Sequence, residues 1–150
     1  MKKLRIHQID YKLKKVKVLK KVIPPRLGWI YGLRTAMNMS LKQLGKRLGI
    51  TAQGVKEIQE RENNKSITIN GLQKVAEALN MKLVYAIVPK EKSLEELINK
   101  RIDTVAKDIV QRTSTTMELE DQKTDSQDLK RTLKQEVQEL KRKLPKYIWD

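Results

Sequence analysis

SLKQLGKRLGITAQGVKEIQE, residues 40–60, is the centre from which the rest of the chain is read. Ser40 suits a helix N-cap, because its hydroxyl accepts a bond from a first-turn amide that has no partner inside the helix. Leu41, Leu44 and Leu48 recur at helical spacing and give that helix one apolar face. Gly49 follows the last leucine, where a left-handed stop residue belongs. Ile50 is expected to plug the turn, and Thr51 to cap a second helix whose inward face is Val55 and Ile58. Small Gly45 falls where two steeply crossed helices need backbone clearance. The spacing predicts two short helices meeting at a tight turn.

That plan is a helix-turn-helix, whose second helix is presented to a DNA major groove. Two core helices of an unrelated bundle would leave the Gly49-Ile50-Thr51 turn and the polar outer face of the second helix to chance. Composition is compatible with it. The chain has 150 residues, enough for one domain plus extensions. Hydrophobic residues make up 39% and phenylalanine is absent, so the core must be aliphatic. No stretch approaches the roughly 20 apolar residues of a membrane span. Lys2 and Lys3 are not followed by the apolar run of a secretory signal, so a cytoplasmic protein without a membrane partner is expected. Without cysteine there are no disulfides or thiolate zinc sites, and the single histidine, His7, reads as a surface residue. Neither a metal nor a cofactor is expected.

The net charge is +15 and unevenly spread. Residues 1–23 carry nine Lys/Arg against one acid, and residues 24–90 carry eleven against four. Residues 91–127 reverse the sign, with six bases and nine acids, and residues 128–150 return to seven against four. A basic balance around a helix-turn-helix points to a polyanion, most simply DNA phosphate.

Three segments follow from these patterns. Residues 1–23 read as a basic amphipathic helix with Ile6, Ile9, Leu13 and Val16 on one side, its alternating far end KVKVLKKV open between helix and strand, ended by Pro24-Pro25. Residues 24–90 form the DNA-binding domain. Its first helix is expected over 26–38 with Ile30, Leu33 and Met37 inward and Trp29 in the core or at its rim. A helix over 69–79 buries Leu72, Val75, Ala76 and Leu79 and stops at Asn80. Residues 82–88 then change period: Leu83, Val84, Tyr85 and Ile87 are β-formers ending at Pro89. One strand is not stable alone, so it is expected to pair with its own copy across a two-fold axis and make a homodimer. Residues 91–150 are helical. Ser93 and Glu96 form a capping box, and Ile98, Ile102, Val105 and Ile109 make one stripe. Leu129, Leu133, Val137, Leu140 and Leu144 make another, across an acidic segment at 113–128 read as a linker or a frayed helix. The fold class is mostly α, a helix-turn-helix domain with one short β-strand and C-terminal helices.

The spacing L-x-x-L-G-x-x-L-G-I-T-x-Q-x-V-x-x-I-Q resembles the phage-repressor (XRE) branch of the helix-turn-helix superfamily. PPRLGWIYGLRTAMNMSLKQLGKRLGIT, ITINGLQKVAEALNMKLVYAIVPK, TMELEDQ and a terminal IWD together resemble the family called mobile mystery protein A over approximately residues 5–150. That resemblance implies a DNA-binding protein of mobile elements, encoded beside a Fic-domain companion in an arrangement like a toxin–antitoxin operon. The DNA-binding member would repress the operon. Fic-inhibiting antitoxins of the best-known type carry [S/T]-x-x-x-E-[G/N]. Here Leu119 follows the Ser114/Glu118 pair and Val137 follows Thr132/Glu136, so that inhibitory helix is not supported.

In this resemblance the recognition helix opens at Thr51, with Ala52, Gln53, Lys56 and Glu57 toward base edges. Gln53 can pair bidentately with adenine N6 and N7, Ala52 can touch a thymine methyl, and Glu57 can accept from cytosine N4. The alternative for Glu57 is an outward ion pair with Arg61. Leu41 replaces the polar residue usual at the start of the preceding helix, so Ser40, Lys42 and Gln43 are the expected phosphate contacts there. Lys65, Ser66 and Thr68 in the following loop, with Arg61, would approach the backbone. No Gly-rich phosphate loop, nucleophile arrangement or paired carboxylates in an apolar setting appear, and the Glu118/Glu120/Asp121 cluster lacks a loop that would gather it round a cation, so no enzyme is expected. The expected function is a sequence-specific DNA-binding autorepressor on an inverted-repeat operator. The alternatives are an interaction protein that chiefly restrains its companion, and a nonspecific polyanion binder.

Overall fold

Local capping chemistry sets most of the helix starts. The computed structural model describes residues 2–119 and 125–150, with side chains over 2–116 and 125–150. The described residues form α1 (Lys2–Val16), α2 (Trp29–Ala36), α3 (Leu41–Leu48), α4 (Ala52–Asn63), α5 (Ile69–Ala78), α6 (Leu94–Leu119) and α7 (Ser126–Lys143). Short 3-10 turns follow α1 at Lys17–Lys21 and α7 at Lys146–Trp149. The chain divides into two compact units, Leu19–Ala86 with α2 to α5, and Met1–Val18 with Ile87–Asp150, holding α1, α6 and α7.

In the Leu19–Ala86 unit, Leu44 and Val55 are wholly buried, and Ile30, Val75 and Leu79 complete the core. Leu33, Met39, Leu41, Leu48, Ile58 and Leu72 pack around it. Ser40 Oγ accepts from the Gln43 amide at 3.2 Å while Gln43 Oε1 accepts from the Ser40 amide at 2.8 Å, a reciprocal box that opens α3. Gly49 ends α3 at φ 69°, in the left-handed region. Thr51 and Thr68 open α4 and α5 by accepting from the Gly54 and Gly71 amides, each at 3.0 Å. Asn80 takes φ 58° beyond α5, as a stop residue should.

Four expectations for this unit are corrected, the first being Met37, which is exposed rather than inward. The first helix starts at Trp29 rather than 26, because Gly28 takes φ 87° and breaks the helical course after the Arg26–Leu27 turn. Trp29 sits at the rim. Ile50 is exposed, so it does not plug the turn; the turn's backbone takes that space, and a Cβ on Gly45 would lie 2.7 Å from the Ile50 carbonyl oxygen. The strand expected over 82–88 is absent: residues 81–89 have no regular secondary structure, and no strand occurs among the described residues. A strand exists only through ladder bonds to a neighbour, and the described chain offers none. Val84, Tyr85 and Ile87 are exposed and Leu83 is half-buried.

In the other unit, Ile98, Ile102 and Ala106 of α6 bury against Leu140 of α7 and Ile148 of the terminal turn. Ile6 of α1 packs on the same cluster, beside Val105, Ile109, Leu133 and Val137. The two aliphatic stripes therefore face each other within the chain, and the apolar tail closes the core through Ile148 while Tyr147 and Trp149 stay exposed. Arg101 holds that tail by donating to the Ile148 and Asp150 carbonyls. The start of α6 is capped three times. Ser93 Oγ accepts from the Glu96 amide at 3.0 Å, and the Glu96 carboxylate accepts from Lys92, one residue earlier than the expected box. Asp10 of α1 accepts from the Leu94 and Glu95 amides at 2.7 and 3.1 Å. Residues 113–119 of the acidic segment continue α6, whereas the side chains of the Glu118/Glu120/Asp121 cluster lie outside the described residues.

Candidate nucleic-acid interface

The outer face of α4 is polar because its inner face takes every apolar residue the helix has room for. Val55 and Gln59 are buried and Ile58 half-buried, all to one side. Gln53, Lys56 and Glu57 are exposed on the other, with Ala52 half-buried at the opening. The Thr51 cap and the left-handed Gly49 fix where this face begins. The first-turn amides of α4 add a partial positive charge at that end.

Around it the cations and the hydroxyl and amide side chains behave differently. Lys42, Lys56, Arg61 and Lys65 are exposed, and none has an ion-pair partner among the described residues. In particular, no ion pair joins Glu57 to Arg61 there. Ser40, Thr51 and Thr68 accept cap bonds, yet each hydroxyl keeps its own proton to donate, and Gln43 keeps its amide NH2. Ser66 is different: its hydroxyl donates to Asn64 Oδ1 at 2.6 Å and its amide to the Arg61 carbonyl, so it shapes the loop. Lys65 takes φ 63° in that loop.

Sequence reasoning missed the residue that ties α4 to α2. Glu62 accepts from the Trp29 and Ile30 amides at 2.7 and 2.9 Å, supplying the cap that Gly28 has no side chain to give. The signal was there in reverse: a helix whose entry lacks Ser, Thr, Asp or Asn needs an acceptor from elsewhere. Arg47 similarly donates to the Ala78 carbonyl at 3.1 Å, joining α3 to the end of α5. Arg34 donates through Nη1 to the Met39 carbonyl, while its Nε and the Nε2 of Gln59 are buried without a partner among the described residues.

No group of His, Cys, Asp and Glu among the described residues can hold a metal ion, and none of their helices is long and apolar enough to cross a membrane. The chain matches no family model, no curated protein and no solved structure.

Proposed function

We propose that the chain is a sequence-specific DNA-binding regulator with α4 as its recognition helix. The observation that carries this reading is the exposed Gln53–Lys56–Glu57 face, positioned by two capped helix starts and a left-handed turn over a buried aliphatic core. Gln53 reads adenine, Ala52 touches a thymine methyl, and Glu57 accepts from a cytosine amine. Lys42, Arg61 and Lys65, with the Ser40, Gln43, Thr51 and Thr68 side chains, fix the register on phosphate. The chain acts in the cytoplasm as a homodimer, its residues 82–88, with Val84, Tyr85 and Ile87 exposed, pairing with their copy to form the strand that one chain alone cannot make. Two recognition helices then meet half-sites about 34 Å apart on an inverted repeat. As the resemblance to mobile mystery protein A implies, the regulator represses its own operon and accompanies a Fic-domain protein.

A second reading, an interaction protein that holds that companion, draws support from the α1–α6–α7 unit, which duplex recognition does not require.

Gln53→Ala tests the first reading. On duplex carrying the chain's own upstream region the variant should lose roughly 1–3 kcal/mol, as when a bidentate base contact is removed. On random duplex it should bind nearly as the wild type does. Equal losses on both duplexes in a gel-shift series would remove Gln53 from base recognition.

A further inference from the structure

A groove of about 620 Å³ opens in the α1–α6–α7 unit, within the roughly 300–1,000 Å³ typical of ligand sites. Its walls bring Lys2 and Lys3 from the start of α1 beside Lys141, Arg142 and Lys143 from the end of α7, with Glu95 the one acid among the described lining residues. Its floor is aliphatic: Ile6, Ile98, Ile102 and Leu144.

Part of this charge has a local reason. Cations in the last turn of α7 complement the negative end of the helix dipole. Lys2 donates to the Lys143 and Leu144 carbonyls at 3.0 and 2.9 Å, and Lys143 and Arg142 pair with Glu139. The Glu139 carboxyl lies below its usual range because Lys143 bonds to it and adds its charge. Lys3 and Lys141 have no partner among the described residues. Moreover, α1 opens with lysines and no acid, although a helix N-terminus favours negative charge. An anion in the groove would relieve both arrangements at once.

We infer that the groove binds an acidic polypeptide segment of a partner protein, carrying one aliphatic side chain between its carboxylates. The apolar floor selects against a nucleic-acid backbone, which is charged but has nothing aliphatic to place there. It also selects against a long acyl chain, because Ile98 and Ile102 are already 8% and 1% exposed and offer it little apolar surface. One leucine-sized side chain over Ile6 and Leu144, with carboxylates reaching Lys3 and Lys141, satisfies what is there. This inference does not rest on the DNA-binding reading, since every residue of the groove lies in the other compact unit.

The test uses the full chain and a fluorescein-labelled peptide in which glutamates flank a single leucine. A second peptide replaces that leucine with serine, and a random DNA duplex serves as the third probe. Fluorescence anisotropy should show the leucine peptide binding several-fold more tightly than the serine peptide. Lys3→Glu with Lys141→Glu, both at exposed positions, should weaken the leucine peptide by about tenfold or more while circular dichroism stays unchanged. Equal affinity for the two peptides, or no binding of the leucine peptide, overturns the inference. So does a loss of duplex binding in the double variant as large as its loss of peptide binding, which would make the groove a phosphate contact.

Discussion

The Glu62 carboxylate spans 32 and 33 residues of sequence to reach the amides of Ile30 and Trp29. It acts on a helix that has Gly28 where a capping side chain would stand, and a Cβ on Gly28 would lie 2.7 Å from Glu62 Oε2. Glycine and glutamate are therefore one device split between two elements. Glu62→Ala should destabilise the fold by about 1–2 kcal/mol, the range for losing a helix N-cap. Glu62→Gln, which keeps one acceptor, should fall between that variant and the wild type. Urea unfolding followed by circular dichroism checks the order, and an unchanged midpoint for Glu62→Ala would show that the cap is idle. The residues legible in sequence were those whose partners are local. Ser40, Thr51 and Gly49 each act within about one helical turn of their own position, so their types and spacing disclose them. Glu62, Arg47 and Asp10 bond to segments far along the chain, and nothing local marks them.

Whole elements were legible where burial has a period. The stripes of α6 and α7 place Ile98, Ile102 and Leu140 in the core, as their spacing requires. Wholly buried Ala106 escaped, because alanine carries little hydrophobic signal although its size lets helices approach. Residues 82–88 mark the limit of such patterns, since β-forming side chains state a preference whereas a strand needs a neighbour. If a second copy is that neighbour, Val84→Pro removes a ladder donor and should shift the chain toward monomer. Sedimentation velocity at micromolar concentration, with circular dichroism to verify the helices, decides it. A variant that remains fully dimeric rules this segment out as the seam.

For the whole molecule, charge is the property most open to measurement. If a dimer meets on the order of eight phosphates, log K against log salt should slope at about −7. A filter-binding series giving a slope near −2 would mean that most of the +15 stays with water and counterions. Connectivity carries a different consequence. Asp10 caps α6, and Lys2 bonds to carbonyls at the end of α7, so α1 gains these partners only from sequence more than eighty residues later. The Leu19–Ala86 unit, by contrast, is contiguous. As the chain leaves the ribosome, the α2–α5 unit has all its own residues in hand by residue 86. The lysine-rich α1 is made before that unit, yet it completes these bonds only once α7 has been made. An element made before the Leu19–Ala86 unit thus finds its place after it.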